Sequence, residues 1–467
     1  MRVILLFILF MLNSLLADEK TYLREYTYEA NDYDTKETAR VVALTEVKRI
    51  LQEEVSVYMQ SETEWIQTEI KIKGEYIADE LYEKRVTAIT TGVTRTKILQ
   101  ERWDGKIFWL KAEIKIDPED MYKRIAALIN NNELLIDLEE AHERENQLRE
   151  GLALLRKELE QITSPDKQAD QVIAYNKEII SLEAIGWFKE ALEYQNNDQP
   201  SLALTSYQKA IELDPGDATS YYNMGVAYHD LEQYDDAIKS YQKTIELDPV
   251  HALAYYNLGT AYKDLKQYDD AIKSYLKAIE LDPDFALAYN NLGAVYKDLK
   301  QYDDAIKSSQ KATELDPDFA LAYINMGAAY YYLEQYDDAI KSSQKAIEID
   351  PDYADAYNIM GRAYQKLKKH RKVIKSYRKV IELEPEDAMA YKHLGSAYQE
   401  LKKYREAIKS YQNAIELDPD YANVYIKLGN AYFDIGEKDK QIKYYKMAAN
   451  LDHHEAQNWL NQNGISW

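Results

Sequence analysis

Between Ala252 and Phe285, apolar side chains recur at steps of three and four. Tyr255, Leu258, Gly259 and Tyr262 make one stripe; Tyr268, Ala271, Ile272, Tyr275, Ala278 and Ile279 make a second. That spacing puts side chains on one face of an α-helix, so the stretch predicts two amphipathic helices. Gly259 and Ala271 are small, which suits the closest approach of the pair. A larger side chain there would overpack it at a cost of roughly 1–3 kcal/mol. Asp282-Pro283 predicts the end of the second helix and the start of the next, because proline cannot continue the i→i−4 ladder but suits a first turn.

The pattern repeats. Seven of the ten prolines (Pro215, Pro249, Pro283, Pro317, Pro351, Pro385 and Pro419) and seven of the fifteen glycines (Gly225, Gly259, Gly293, Gly327, Gly361, Gly395 and Gly429) step by 34 residues. This is helix–turn–helix repeat spacing. Helices of about a dozen residues are marginal alone, so stability must come from stacking neighbours.

The unit resembles the tetratricopeptide repeat (TPR) family. It carries that family's pattern at Tyr255, Leu258, Gly259, Tyr262, Ala271, Tyr275, Ala278 and Pro283. Eight units count off: 184–217, 218–251, 252–285, 286–319, 320–353, 354–387, 388–421 and 422–455. Departures fall at Ala191 in the first unit, at Ser309 and Ser343 where an aromatic belongs, at His370 and Val373, and at Gln441 and His453 in the last. Residues 456–467, with Trp459, predict a short capping helix.

The resemblance implies a mainly α fold, a TPR α-solenoid superhelix over 184–467 whose first helices line a concave groove for peptide segments of other proteins. Carried over residue by residue, it implies a ladder of Asn223, Asn257, Asn291 and Asn325, whose amides can both donate to and accept from a peptide backbone. Around the ladder lie Phe188, Tyr222, Tyr256, Tyr331 and Tyr332, with Leu253, Leu287 and Leu321. Further along, Asn358, Arg362, Lys366, Lys392, His393 and Lys427 make the lining basic and suited to acidic side chains or a carboxylate. The competing reading is that the asparagines are solvated and the aromatics pack between units. The family's carboxylate clamp for chaperone C-termini is not matched, since Ser396 and Lys427 stand where its set breaks.

Ahead of the repeats the texture changes. Residues 1–17, MRVILLFILFMLNSLLA, have the layout of a secretory signal peptide and too short an apolar run for a bilayer span of ~20 residues. They predict an exported chain, periplasmic or secreted, with a membrane tether through an uncleaved signal anchor as the alternative. No membrane span is expected in the mature chain. Residues 18–117 predict a small α+β domain: a strand at Leu23–Ala30, a helix at Asp34–Tyr58, an alternating run at Glu64–Lys73, and a hairpin of 94–102 and 106–116 around Asp104-Gly105. This layout is weakly similar to N-terminal αβ domains of exported bacterial envelope lipoproteins and of a flagellar assembly protein. Residues 118–183 predict a helical linker with a coiled-coil seam over 134–162. That seam either joins two chains as a homodimer or folds back on helix 168–183 or the first repeat.

Composition narrows the function. There is no cysteine, which excludes disulfides and thiolate metal sites. The net charge of −23 argues against nucleic acid as a partner. Of 42 tyrosines, 33 lie in the eight units, mostly on the stripes. No Walker A, GxGxxG, GxSxG or HExxH sequence occurs, so neither an enzyme nor a cofactor is expected. His453-His454-Glu455 reads as a solvated turn rather than a metal site, and the Asp-Asp pairs at 235–236, 269–270, 303–304 and 337–338 as partners of helix N-termini. The function expected is a non-enzymatic, exported scaffold that docks partner proteins through the repeats. The alternative is an envelope assembly factor whose α+β domain is the main binder, with the repeats as a spacer.

Overall fold

The computed structural model describes residues 20–62, 96–117, 131–162 and 165–467, with Thr90, Thr94 and Arg124 between them. The signal segment, the Glu64–Lys73 run and nearly all of 118–130 lie outside the described residues. The chain is mainly α, with a small sheet domain before tandem helices, and divides into two units, Met1–Ala261 and Tyr262–Trp467.

The first unit begins with β1 (Lys20–Glu29), α1 (Lys36–Glu62), β2 (Thr96–Trp103) and β3 (Ile107–Ile116). The strands form an antiparallel sheet in the order β1-β3-β2. Asp104-Gly105 makes the expected hairpin turn. The Asp104 carboxylate accepts the N–H groups of Lys106 and Ile107 at 2.9 and 2.6 Å, and Gly105 takes a φ of +101°. Alternate residues of β3, namely Phe108, Leu110, Ala112 and Ile114, are buried against Ala39, Ala43, Val47, Leu51 and Val55 of α1. Period two therefore meets period four in one core.

Four helices complete the path into the repeats: α2 (Asn132–Leu159), α3 (Pro165–Asn196), α4 (Pro200–Leu213) and α5 (Ala218–Asp230). The seam of α2 is buried inside its own chain. Its C-terminal half sets Leu152 and Leu159 against Tyr175, Ile179 and Leu182 of α3. There Arg156 also donates to the Glu29 carbonyl at 2.8 Å. The Tyr28 and Tyr175 hydroxyls both donate to Asp34, at 2.8 and 2.9 Å, which ties α3 to the sheet domain. The N-terminal half sets Leu134, Leu138 and Ala141 in one core with Ile185, Phe188 and Leu192 of α3. The stripe thus packs within its own chain, which is the fold-back alternative.

Three polar contacts pin that N-terminal half. Asn223 on α5 donates to Asp137 at 2.7 Å, Arg144 meets Asp217 at 3.2 Å, and Lys189 meets Glu145 at 2.6 Å with both side chains nearly buried. Breaking the last would cost roughly 3–5 kcal/mol by leaving one charge buried and alone. Burial pushes the Asp137 carboxyl up to about 7, with Glu133, Glu140 and Asp217 adding to the rise and the Asn223 amide opposing it.

In the second unit, helix pairs of the repeats follow one another from Tyr268–Leu281 to Lys438–Asn450 and end in His454–Gln462. Trp459 packs on Tyr445 at 4.5 Å, and His453 accepts from the Ala456 N–H, so this histidine caps the last helix. The tyrosine excess is core only in part. Tyr275, Tyr377 and Tyr411 are fully buried, as are Tyr207 and Tyr241 of the first unit. Each ring contributes on the order of 1.5–3 kcal/mol.

The glycine faces that ring. A methyl group on Gly395 would lie 2.6 Å from the Tyr411 ring, and one on Gly225 the same distance from Tyr241. Where serine replaces the aromatic the room differs: a methyl on Gly327 would meet Ser343 Oγ at 3.3 Å, but one on Gly293 would lie 2.6 Å from Ser309 Oγ.

The punctuation differs from expectation in one detail. Pro283 sits in the turn and the next helix starts at Ala286, while the Asp282 carboxylate accepts the Asp284 N–H at 3.1 Å. Asp316 and Asp350 bond in the same way at 3.0 Å. The aspartate thus folds the chain over a proline that could not donate. The paired aspartates do lie in first turns, where Asp270 and Asp338 each take a lysine at 2.9 Å, but the N-cap residue before them makes no side-chain cap bond.

Two outcomes are expected. Gly395→Ala should destabilise the chain by roughly 1–3 kcal/mol in thermal or urea unfolding. Gly327→Ala, whose methyl would meet Ser343 Oγ at 3.3 Å and the Ala339 carbonyl at 3.4 Å, should be neutral or stabilising by up to about 1 kcal/mol through helix propensity. Separately, Asp137 has a folded pKa near 7 and an unfolded value near 4. Its stabilisation is therefore complete at low pH and is lost as pH rises through 7. Lowering the pH from 8 to 6.5 should slow hydrogen exchange over residues 134–141, corrected for intrinsic rates, by roughly fourfold through Asp137. Asp137→Asn should flatten that dependence. Below pH 6.5 the trend levels off, because burial holds the His142 pKa down to about 4 and the unfolded chain takes up that proton first.

Candidate functional site

The repeat period carries the groove residues onto successive first helices, and the structure treats the two ends of that series differently. In the first unit, α2 lies over the groove positions. Phe188, Tyr222 and Asn223 are almost fully buried, and the Arg144 guanidinium sits 5.9 Å from the Phe188 ring. Burial raises the Tyr222 hydroxyl pKa strongly, and Glu133 of α2 beside it raises it further. These three residues were expected to meet a peptide and instead meet the chain's own helix. Asn257 donates to the Tyr222 hydroxyl at 2.8 Å, so its amide too is engaged. Leu253 stays exposed and Tyr256 is half-buried.

In the second unit, the Asn325 amide donates to Asn290 at 3.0 Å and accepts from Lys297 at 3.0 Å; it is buried by that pair. Asn291 accepts from Asn290 at 3.3 Å and is half-buried. The amide ladder is thus largely engaged within the chain, by partners one helix away that a single-residue pattern does not reveal. Leu287 and Leu321, one repeat apart, are 49% and 38% exposed. Tyr332 is 50% exposed and stacks on Tyr302 at 5.1 Å, with Tyr331 edge-on to it at 5.6 Å.

The basic stretch follows. The Arg362 guanidinium lies 4.3 Å from the Tyr331 ring and 5.8 Å from that of Tyr332. The Lys392 ammonium lies 5.3 Å from the Tyr421 ring, and Lys427 is half-buried. His393 stacks on Tyr377 at 4.9 Å and 8°, and its Nδ1 lies 3.0 Å from Gln365 Oε1. Burial pushes its pKa down to about 3, helped by Lys392, Arg362 and Lys427, so the ring is neutral at pH 7. Lys366 is exposed, and the Asn358 carbonyl oxygen is buried without a hydrogen-bond donor.

A feature absent from the sequence reading is a cavity of about 330 Å³ in the first unit, where α1 and β2 meet α3. Leu44, Ile98 and Trp187 line it with Lys48, Glu190 and Glu193. Burial lowers the Lys48 ammonium pKa, against the pull of Glu190. No motif could have announced it, because its walls come from three elements far apart in the chain. Among the described residues no group of His, Asp and Glu is placed to hold a metal ion, and no helix is long and apolar enough to cross a membrane.

No curated protein matches the chain. Among solved structures it is similar to the MamA protein, at 32% identity over 37% of this chain and 94% of that one, with a TM-score of 0.34. It is similar to YrrB, described as a TPR protein with an unusual peptide-binding site, at 28% identity over 39% and 95%, with a TM-score of 0.35. It also resembles the C-terminal part of a TPR repeat-containing protein from Cytophaga hutchinsonii, at 21% identity over 52% and 99%, with a TM-score of 0.45. Models of the TPR repeat match residues 201–232, 259–300, 293–333, 327–368 and 400–436. Models of the tetratricopeptide repeat match 218–251, 354–387, 240–273 and 422–454. With matches running over 201–387 and 400–454, and a buried glycine–tyrosine contact recurring at the same step, the chain belongs to the tetratricopeptide repeat family.

Proposed function

We propose that this chain is an exported, non-enzymatic scaffold whose repeats dock peptide segments of partner proteins. The TPR repeat is a protein–protein interaction module. The observation that carries the finer reading is the pair of exposed leucines, Leu287 and Leu321, one repeat apart on successive first helices. Apolar side chains left partly exposed at regular spacing suit the anchors of a docked segment. The covered state of Phe188, Tyr222 and Asn223 moves the proposed dock away from the first two repeats. Export rests on residues 1–17 alone.

A second reading has its own observation. The cavity offers the N-terminal domain a recess in which Leu44, Ile98 and Trp187 lie beside Lys48 and Lys189 and the carboxylates of Glu190 and Glu193, which favours that domain as the main binder.

The two readings separate by crosslinking in the native envelope. Leu287→Ala combined with Leu321→Ala touches exposed side chains only and should leave stability within about 0.5 kcal/mol. It should cut partner capture several-fold. Undiminished capture, with loss on Lys48→Met, would transfer the binding role to the N-terminal domain.

A further inference from the structure

The cavity where α1 and β2 meet α3 carries charges of both signs, and two of its cations are already paired. Lys189 meets Glu145 at 2.6 Å, and Arg40 meets Glu101 at 2.9 Å. Lys48 on α1 and Glu190 on α3 line the same space, and neither side chain has an ion pair or hydrogen bond among the described residues. We propose that this cavity binds a free α-amino acid with a large apolar side chain. Its carboxylate would meet Lys48, its ammonium Glu190, and its side chain the wall of Leu44, Ile98 and Trp187. The proposal deepens the second reading above and rests only on its premise that this recess is a binding site.

Helical spacing builds the two walls in the same way. Leu44 and Lys48 are four residues apart on α1, and Trp187 and Glu190 are three apart on α3. Each helix therefore turns one apolar and one charged side chain toward the cavity, and the two charges are of opposite sign. The Lys209 ammonium lies 3.7 Å from the centre of the Trp187 ring, which helps to hold that wall in place.

Electrostatics leaves the two charges wanting partners. Burial lowers the Lys48 ammonium pKa, and Glu190 opposes this more than any other carboxylate. Even so, Glu190 does not reach ion-pair distance. Glu193 and Glu145 act on Lys48 less; Glu145 is held by Lys189, and Glu193 has a further interaction within the chain. A buried charge without a close partner is costly, so a ligand that supplies a counter-charge is favoured.

Size and charge balance select the class. A volume of about 330 Å³ lies at the small end of small-molecule sites, which run from about 300 to 1,000 Å³, and suits a single compact molecule. A simple anion would leave Glu190 unmatched and would also face Glu183 and Glu193. A simple cation would leave Lys48 unmatched. A zwitterion supplies a partner to each.

The test is isothermal titration calorimetry of the full chain with L-phenylalanine at concentrations up to roughly 1 mM. Hydrocinnamate lacks its ammonium, phenethylamine lacks its carboxylate, and glycine lacks its side chain. L-Phenylalanine should bind one to one, and each of the other three should bind weaker by roughly tenfold or more. Lys48→Met and Glu190→Gln should each weaken L-phenylalanine by a similar factor at unchanged circular dichroism. Lys273→Met, which removes an exposed lysine paired with Asp270, should leave binding within about twofold. If Lys48→Met does not fold, Glu190→Gln and the three analogues decide. Absence of L-phenylalanine binding, an analogue binding as tightly, or unchanged binding in either cavity variant overturns the proposal. Loss of partner capture on Lys48→Met without any L-phenylalanine binding sinks the amino-acid site and leaves the recess as a protein-binding one. L-Phenylalanine binding that Lys48→Met abolishes, with capture unaffected, keeps the site and removes the second reading.

Discussion

The repeats depend on one steric relation, a bare helix backbone lying against an aromatic ring. Gly395 against Tyr411 and Gly225 against Tyr241 leave no room for even a methyl group. The missing side chain lets two short helices approach closely, and the ring fills the space between them. Neither helix would persist alone in water. Once the pair is locked, the next pair has a surface to stack on, and every other residue inherits its place from the 34-residue step. Ser343 relaxes the relation in one unit, whereas Ser309 keeps it, since its Oγ would lie 2.6 Å from a methyl on Gly293.

The same demand for burial decides what happens ahead of the repeats. An isolated amphipathic helix of 28 residues has to cover its stripe with something. In α2 the cover is divided: α3 takes the C-terminal half, and the first helices of the opening repeats take the N-terminal half. Residues that look like ligand contacts in sequence, Phe188 and Asn223 above all, become internal core and internal hydrogen bonds. Asp137, a carboxyl held near neutrality by burial, makes that contact sensitive to pH.

Charge is distributed by a separate logic. Most lysines of the second helices are satisfied by an acid three residues away, an exposed arrangement worth only about 0.2–0.5 kcal/mol per pair. The cations of the later first helices are positioned by tyrosine rings instead and keep their charge available. A strongly acidic protein thus carries a small region of opposite character.

Much of this was legible in the residues. The helix pairs, the glycine at their closest approach, the Asp104-Gly105 hairpin and the core face of α1 all follow from spacing, because they join residues close in the chain. Other features were not. Glu232, Lys266, Lys300 and their equivalents take positive φ at every turn between paired helices, a place where only the last unit has glycine, Gly436. The asparagine ladder read as open because spacing does not report that Asn290 and Lys297 reach Asn325. The proline read as a helix start because spacing does not report that Asp282 bonds across it. Sequence alone determined the repeat, its period and the identity of its core, since these depend on side-chain volume and helical periodicity. Only the tertiary structure decided which stretch of groove is covered and which charges go unpaired. Those outcomes depend on competition between surfaces far apart in the chain, where burial goes to whichever partner excludes the most water.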